Sequence, residues 1–351
     1  MKNKRYKISV LANAPLLYPT DSVYILMHCD ADEIIEVPKA YPYSGEWGQC
    51  NSEYISFGDD NYPMPEVLDM IYLSIVERVF YELEIDLSTL ELIKLWESQV
   101  GDACFSHIYI GMAPFGGVAL WAHSTKKQIL LNWAKGKEIS IDMEDYLPMA
   151  PNLTLNEVCN HYITNDTLVA QNLKENGLPP RDLFDKYMRQ YTYRYYPMFE
   201  KWNEDDEKWE KYDEEKDVVP QFEYIEEMLT DGTHDKLHDD GLLKYHEAGK
   251  PKKLAMKWWV KKSEYVAYFW FDDEVLCPIF EKFYGAHRDT KVDFRLRIDA
   301  QKKKYELTLF RQGLKEPQVL PEDAYQLLVF KSQFENYRSD NYNQECGAWI
   351  W

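Results

Sequence analysis

The sequence has 351 residues, of which 45% are hydrophobic and 15% aromatic, and its formal net charge is −20 at pH 7. This length and apolar content are sufficient for one large or two ordinary folded domains. The acidic excess excludes nucleic acid and anionic membranes as partners, because binding to either depends on clustered lysine and arginine.

The first hundred residues predict several strands and one helix. "YKISVLA" and "SVYILMHC" are apolar runs typical of strands, and "EVLDMIYLSIV" and "RVFYELEI" alternate between apolar and polar residues. Glu77 and Arg78 lie between the last two runs, which therefore predict a hairpin. Residues 86–99 have apolar side chains at helical spacing, with Asp86 or Ser88 as the N-cap.

A glycine-rich segment, "IGMAPFGGVALWAH" at 110–123, contains Gly111, Pro114, Gly116 and Gly117. A phosphate-binding loop needs a helix after its glycines, so that backbone N–H groups and the helix dipole face the anion. Here a strand-like run follows, and no lysine with serine or threonine comes after the glycines. The segment therefore predicts a structural hairpin.

The middle of the chain changes character twice. Helical spacing is typical of the subregion at about 153–192, which ends in the aromatic stretch "YTYRYYPMF". Residues 201–250 then hold 17 acidic and 7 basic residues, which predicts an acidic linker or insertion. Within it, "PQFEYIEEML" at 220–229 predicts a short helix.

The last hundred residues repeat the order strand, strand, helix, strand, strand. An offset of 186 (256 − 70) aligns five pairs of identical residues without gaps. The fold class is therefore predicted as α+β, with two related ββαββ-type units of twisted antiparallel sheet, each with a packed helix. A helical and acidic region connects the two units. The aligned pairs are Pro65 and Pro251, Met70 and Met256, Asp86 and Asp272, Leu90 and Leu276, and Ile93 and Ile279.

These elements predict an N-terminal α+β domain over 1–200, an acidic linker over 201–250 and a C-terminal α+β domain over 251–351. The six cysteines are far apart and form no CxxC motif, which is typical of buried thiols in a reducing compartment. The N-terminal apolar run is too short for a signal peptide, and no run is long enough to span a membrane. We expect a cytoplasmic protein, or a periplasmic one if a signal has been removed.

Candidate chemistry is sparse. His234 and His238 would share one face of a helix and are weak metal-ligand candidates, although "GTHDKLHDDG" contains no HExxH motif. Cys104, His107 and His123 are near one another in sequence, but we expect an ordinary buried thiol and ordinary histidines. No catalytic residue, metal or cofactor is predicted.

Aromatic residues mixed with arginine are typical of protein interfaces. Two such stretches occur, one at the start of the acidic segment and one at the C-terminus. The predicted partner-binding residues are Tyr193, Tyr195, Tyr196, Trp202, Trp209, Tyr337, Tyr342, Trp349 and Trp351.

Three stretches together resemble a bacterial domain-of-unknown-function family, number 2931. They are "HIYIGMAPFGGVALWAH", "LFDKYMRQYTYRYYPMFE" and the terminal "QLLVFKSQFENYRSDNYNQECGAWIW". The resemblance covers residues 5–205 most closely and carries no catalytic signature. It implies a group of proteins that are often lipoproteins and are often encoded near secreted antibacterial effectors.

The resemblance therefore implies an immunity role, in which the protein binds and blocks a cognate toxin or effector with a basic surface. The acidic charge and the aromatic clusters suit such a partner. Two alternatives stay open: a hydrolase-type enzyme with a cleft between the two units, and a glycan- or lipid-binding module with an aromatic cleft.

Overall fold

The structure is a computed structural model that describes residues 4–30, 33–37, 43–49, 61–100, 103–213, 216–299 and 304–333. The chain forms two compact units. Unit 1 is Met1–Met188 with Asp231–His234, and unit 2 is Arg189–Thr230 with Asp235–Trp351. Among the described residues, no helix has the length and apolar character needed to cross a membrane.

Unit 1 contains thirteen strands and five helices in the ranges described. Its strands are β1 (Tyr6–Lys7), β2 (Ser9–Asn13), β3 (Thr20–Cys29), β4 (Ile34–Glu36), β5 (Asn61–Tyr62), β6 (Pro65–Ser74), β7 (Val79–Asp86), β8 (Gln99–Val100), β9 (Ala103–Cys104), β10 (His107–Met112), β11 (Gly117–His123), β12 (Gln128–Lys135) and β13 (Lys137–Ile139). Its helices are α1 (Leu92–Glu97), α2 (Met143–Tyr146), α3 (Leu155–Asn165), α4 (Thr167–Asn176) and α5 (Leu183–Tyr187).

Two sheets enclose the main core of unit 1. One sheet has the order β13–β7–β6–β3–β4, and in the other β2, β10, β11 and β12 pair in that order, with β2 parallel to β10. Met27 and Met70 from the first sheet and Ile110 from the second belong to the same buried cluster. Strands β3 and β6 alternate between buried and partly buried side chains over 25–29 and 67–72, as expected for a sheet that faces a core on one side. Strand β10 is buried at 108–112, because its second face packs in another cluster with Trp47 and Trp121.

Unit 2 is built in the same way. Its elements are β14 (Tyr191–Asn203), β15 (Lys208–Lys211), β16 (Gln221–Leu229), β17 (His234–Leu237, of which His234 belongs to unit 1), α6 (Asp239–Leu242), β18 (His246–Ala248), β19 (Pro251–Val260), β20 (Ser263–Phe271), α7 (Asp273–Tyr284), β21 (Val292–Asp299), β22 (Lys304–Arg311), β23 (Gln318–Val319) and β24 (Tyr325–Gln333).

In unit 2, β16, β19, β20 and β24 pair in that order, and β14, β21, β22 and β23 form the second set. The longer helix α7 buries Leu276, Phe280 and Tyr284 in the core between them. Residues 201–250, predicted as a linker, thus contain strands β15 to β18. Of residues 220–229, predicted as a helix, 221–229 instead form strand β16, because this run pairs antiparallel with β19 and places Ile225 and Leu229 in the core.

The two units share one pattern of strand pairing. In each, the first long strand pairs parallel with a later hairpin strand: β2 with β10, and β14 with β21. In each, the next long strand pairs antiparallel with a strand that begins at a proline: β3 with β6, and β16 with β19. In both of these strand pairs the register shifts at two places, one near each end of the first strand. The shifts fall between Ser22 and Tyr24 and between His28 and Cys29 in unit 1, and between Phe222 and Tyr224 and between Met228 and Leu229 in unit 2.

The observed repeat differs from the predicted ββαββ unit. The element order recurs, but the hairpins before and after the helix belong to different strand sets. In unit 1, β6 and β7 lie in one sheet and β10 and β11 in the other. The reason is that each strand set also contains a strand from earlier in the chain. The order of elements in the sequence does not show which strands pair with one another.

Candidate functional site

The glycine segment is a hairpin, as predicted. Strands β10 and β11 pair antiparallel from His107–His123 to Met112–Val118, and a short turn joins them. Gly111 is required by packing, because an added Cβ would lie 2.5 Å from the ring of Trp121. Gly116 has a positive φ of 75° in the turn, a conformation that favours glycine. Pro114 and Gly117 complete the turn and its closing hydrogen bonds.

The predicted partner-binding residues separate into three groups. Tyr193 and Tyr195 are fully buried in the core of unit 2, so their side chains cannot contact a partner in this fold. Tyr196 is 37% exposed, and Trp202 and Trp209 are partly exposed at the β14–β15 hairpin. The other four lie outside the described residues: Tyr337, Tyr342, Trp349 and Trp351.

The β14–β15 hairpin carries an acidic turn on an aromatic stem. Trp202 and Trp209 are cross-strand neighbours with ring centroids 5.3 Å apart. The Lys304 ammonium lies 4.9 Å from the Trp202 ring and the Arg297 guanidinium 5.5 Å from the Trp209 ring. Between the strands, the four-residue turn 204–207 consists entirely of exposed acidic residues. We refer to 202–209 as the acidic hairpin.

Arg194 is held in a fixed position beside Tyr196. Its guanidinium lies 5.5 Å from the Tyr196 ring and 4.6 Å from the Tyr245 ring, and its Nε donates to Asp293 at 2.7 Å. The Tyr245 hydroxyl donates to the same carboxylate oxygen at 2.8 Å. Burial acts to raise the pKa of Asp293, but the bonds from Arg194 and Tyr245 outweigh it and the pKa is lowered. This network restrains the side chains around Tyr196 before any partner arrives.

The two histidines considered as metal ligands do not share a helix face. The segment 234–237 is strand β17, and His234 belongs to unit 1, with its ring 5.6 Å from that of His123. His238 belongs to unit 2, where its ring lies 6.0 Å from that of Tyr224. Within the part of the chain that the structure describes, no group of three or more His, Cys, Asp or Glu residues is placed to hold a metal ion.

A row of three histidines nevertheless forms in unit 1. His107 and His123 are cross-strand partners with rings 5.7 Å apart, and His123 also contacts His234 and stacks on Tyr109 at 4.5 Å. Burial, followed by the neighbouring imidazoles of His234 and His107, lowers the pKa of His123 to about 4. His123 is therefore neutral at pH 7.

Gln128 determines which nitrogen of His123 carries the proton. The Gln128 amide nitrogen donates to the carbonyl oxygens of Gly48 and Gly232, so its Oε1 is directed at His123 Nδ1, 3.1 Å away. Because Oε1 can only accept, Nδ1 is protonated and Nε2 keeps a free lone pair. His107 and His123 were noted in the sequence, but Gln128 was not, because it is the first residue of the next strand, β12, and has no motif around it.

Sequence analysis also missed Arg194 and Tyr245. The strict alternation of β14 could have identified Arg194, because Tyr191, Tyr193 and Tyr195 face the core and the residues between them face outward. Tyr245 precedes the short strand β18, and its proximity to Arg194 depends on the fold.

The fold defines an α+β protein of mainly antiparallel sheets, whose pairing pattern occurs twice in one chain. The family model described as "Protein of unknown function (DUF2931)" matches residues 1–179, and the chain belongs to this family. The resemblance found from the sequence is thus confirmed. No curated protein and no solved structure matches the chain.

Proposed function

We propose that the protein is a non-enzymatic binding protein of the immunity type, which neutralises a cognate bacterial toxin or effector by binding to it. The observation that carries this proposal is that strand β14 presents the exposed Tyr196 next to the restrained Arg194 and leads into the exposed acidic turn of the acidic hairpin. Aromatic and arginine side chains dominate the energetic centres of protein interfaces. Prior restraint of such side chains lowers the entropic cost of binding.

The proposed partner has a basic surface. A net charge of −20 attracts such a protein over several ångströms and speeds the encounter, and the acidic turn provides a local contact for its lysines and arginines. Binding in the cytoplasm is part of this proposal.

Co-expression with the product of the adjacent gene tests the proposal. We expect the wild-type protein to protect the cells and to co-purify with that product. The double variant Asp205→Lys with Glu207→Lys reverses the turn and should weaken the complex at least about tenfold. Asp289→Lys with Glu316→Lys is the matched control, because both residues are exposed in unit 2 and the net charge changes equally.

Three outcomes count against the proposal. Absence of both protection and a complex with the wild-type protein contradicts the immunity role. Equal weakening by the two double variants shows that only overall charge matters and that the acidic hairpin is not the contact. Full activity of the turn variant leads to the same conclusion about the hairpin.

The histidine row favours a second candidate, a hydrolase-type enzyme. His123 presents an unprotonated Nε2, and the Oγ of Ser106, the residue before β10, lies 2.9 Å from His107 Nδ1. A serine and an imidazole within hydrogen-bond distance can act as nucleophile and base. Hydrolysis of an ester or peptide substrate that is lost in both Ser106→Ala and His107→Gln would support this function. A glycan- or lipid-binding role would instead appear as a ligand-dependent rise in unfolding temperature.

A further inference from the structure

Helix α1 is fastened to the first strand of unit 1 by a cluster of three side chains, which we call the clamp. Lys4 Nζ lies 2.7 Å from the Glu97 carboxylate, and the Tyr6 hydroxyl donates to the same oxygen at 2.9 Å. Next to them, the Trp96 indole donates to the backbone carbonyl of Lys7 at 3.0 Å. The glutamate thus receives a tyrosine from β1 and a basic residue from two positions before it.

Unit 2 contains an equivalent clamp. Arg189 lies 2.7 Å from the Glu281 carboxylate of α7, and the Tyr191 hydroxyl also donates to it. The neighbouring bond recurs as well, because Tyr284 donates to the backbone carbonyl of Thr192 at 3.0 Å. The order basic residue, one residue, tyrosine is the same at 4–6 and 189–191. The correspondence extends to the strand pairing, where Ser9 pairs parallel with His107 and Arg194 with Asp293.

The two clamps differ at one neighbouring position. Strands β6 and β19 each begin at a proline that pairs with the end of the matching strand: Pro65 with Cys29, and Pro251 with Leu229. The residue before the proline is Met64 in unit 1 and Lys250 in unit 2. These two residues therefore occupy equivalent places.

Lys250 supplies the unit 2 clamp with an ammonium group. Its side chain is fully buried, its Nζ lies 5.3 Å from the centroid of the Tyr191 ring, and the carboxylates of Glu281 and Asp273 act on its charge. Burial lowers the pKa of Lys250, and Cys277, followed by these carboxylates, counteracts that effect. The tyrosine face and the carboxylate together form a pocket for a cation on an alkyl stem.

In unit 1 the equivalent place is an open groove. Its volume is about 1080 Å³, and Tyr6, Met64 and Glu97 line it. The apolar part of the lining includes Leu92 and Ile93 of α1. Four carboxylates and two ammonium groups surround the groove, which gives it an acidic rim. The charged lining residues are Asp30, Glu66, Glu91, Glu97, Lys4 and Lys94.

We propose that the groove beside the Tyr6–Glu97 clamp binds an alkylammonium group, supplied by a lysine side chain of the partner protein. Lys250 shows in the same chain what such a clamp accommodates when an amine is present. Lys4 takes the place of Arg189, with its Nζ 2.7 Å from Glu97 and 5.3 Å from the centroid of the Tyr6 ring, and its side chain is 61% exposed at the edge of the groove. Met64 is shorter in reach and uncharged, so unit 1 has no second amine at the position that Lys250 occupies in unit 2.

The chemistry of the groove matches this ligand. An alkyl stem removes apolar wall from water, and the ammonium at its end gains the carboxylates of the rim, among them Asp30 and Glu66. The ammonium also shares Tyr6 and Glu97 with Lys4. A neutral alcohol of the same length gains only the burial of apolar surface and no interaction of a charge with the carboxylates or the ring. The source of the amine rests on the proposed function, because a partner with a basic surface is the one that brings lysines to an acidic rim.

Methyl NMR of the full chain tests the groove without any partner protein. We expect n-pentylamine to shift the Leu92 and Ile93 methyl signals saturably, and n-pentanol to bind at least about fivefold more weakly. Equal binding of the two compounds, or no shift with the amine, overturns the proposal. If only the co-expression experiment failed, the proposed function would be contradicted, while selective binding of the amine would still support the groove as an alkylammonium site.

Two substitutions at Met64 sharpen the test. Met64→Lys places an amine in the groove as Lys250 does in unit 2, and it should abolish the response to pentylamine. The glutamine of Met64→Gln has a similar length and no charge, so this variant should keep the response to pentylamine. Unchanged binding in Met64→Lys contradicts the proposal. If that variant does not fold, Glu97→Gln is used instead, and it must weaken the amine without affecting the alcohol.

The source of the amine is tested with two further probes. The peptide Gly-Lys-Gly should shift the same methyl signals, and Gly-Glu-Gly should not. Binding of spermidine with no response to the lysine peptide would assign the groove to a free polyamine. That result would overturn the proposal that a lysine of a partner protein supplies the amine.

Discussion

The hydroxyl of Tyr6 donates a hydrogen bond to the carboxylate of Glu97 at 2.9 Å, and this bond connects the end of α1 to the first strand of unit 1. Tyr6→Phe removes it and leaves the ring in place. We expect the unfolding temperature to fall by on the order of 2 °C, because a partly exposed hydrogen bond contributes little net stability. Tyr18→Phe is the control, since the Tyr18 ring packs on Phe184. Equal losses in the two variants would contradict the role of the bond.

Gly111→Ala tests the close packing of the glycine hairpin. The new methyl group would lie 2.5 Å from the Trp121 ring and 2.9 Å from the Trp47 ring. We expect a loss of about 1–3 kcal/mol in the free energy of unfolding, as for other overpacked cores. Urea unfolding monitored by tryptophan fluorescence measures it.

Gly241→Ala is the matched control for this substitution. Its Cβ would approach only the Leu237 side chain, at 3.6 Å, which is an ordinary contact. Its free energy of unfolding should change little or rise, because alanine reduces the entropy of the unfolded chain. A Gly111→Ala protein as stable as this control would show that Trp121 moves freely.

The histidine row makes unit 1 sensitive to acid. The pKa of His123 is lowered to about 4 in the folded protein, against about 6.5 in an unfolded chain. The neutral imidazole therefore stabilises the fold above pH 6.5, and this contribution is lost as the pH falls toward 4. The full effect of such a shift is up to about 3 kcal/mol.

Urea midpoints measured between pH 8 and pH 4.5 check this prediction. His123→Asn should have a flatter profile than the wild type, since its side chain does not titrate. His161→Gln, in which an exposed imidazole of α3 is removed, should keep the wild-type slope. A wild-type slope that persists in His123→Asn would assign the acid sensitivity to other groups.

Thiol reactivity should follow burial. Cys29 and Cys159 are buried, and burial raises the pKa of each thiol to about 11, whereas Cys104 is exposed, contrary to the expectation of a buried thiol. Because the thiolate is the nucleophile, iodoacetamide at pH 7.5 should modify Cys104 before Cys29 and leave Cys159 unmodified until the protein unfolds. Peptide mass spectrometry follows each cysteine. Alkylation of Cys159 as fast as that of Cys104 would mean that this part of unit 1 opens readily.

Much of the local structure was predictable from periodicity. The glycine hairpin at 110–123 and helix α7 were identified correctly, because glycine placement and 3.6-residue spacing are local signals. The run 220–229 was wrongly predicted as a short helix. Its partner strand β19 lies more than twenty residues further on, and only that pairing defines it as a strand.

The candidate site was less predictable, for a related reason. Composition drew attention to the tyrosines of β14, but alternation places Tyr193 and Tyr195 in the core and only Tyr196 outside. The repeated proline was visible in the sequence, whereas the difference between Met64 and Lys250 acquired meaning only when both were seen next to a clamp. Side chains that meet across sheets leave no signal of their own in the order of residues.

The assignment of Asp231–His234 to unit 1 has a consequence for experiments that divide the chain. The Trp121 indole donates to the carbonyl of Asp231 at 2.8 Å, and the Gln128 amide donates to Gly232 at 2.7 Å. A gene fragment that stops at residue 188 encodes neither acceptor, so the buried Trp121 donor loses its partner and the Gln128 amide keeps only its bond to Gly48. Expression of unit 1 alone therefore requires residues 231–234 to be fused to the fragment through a linker or added as a separate peptide.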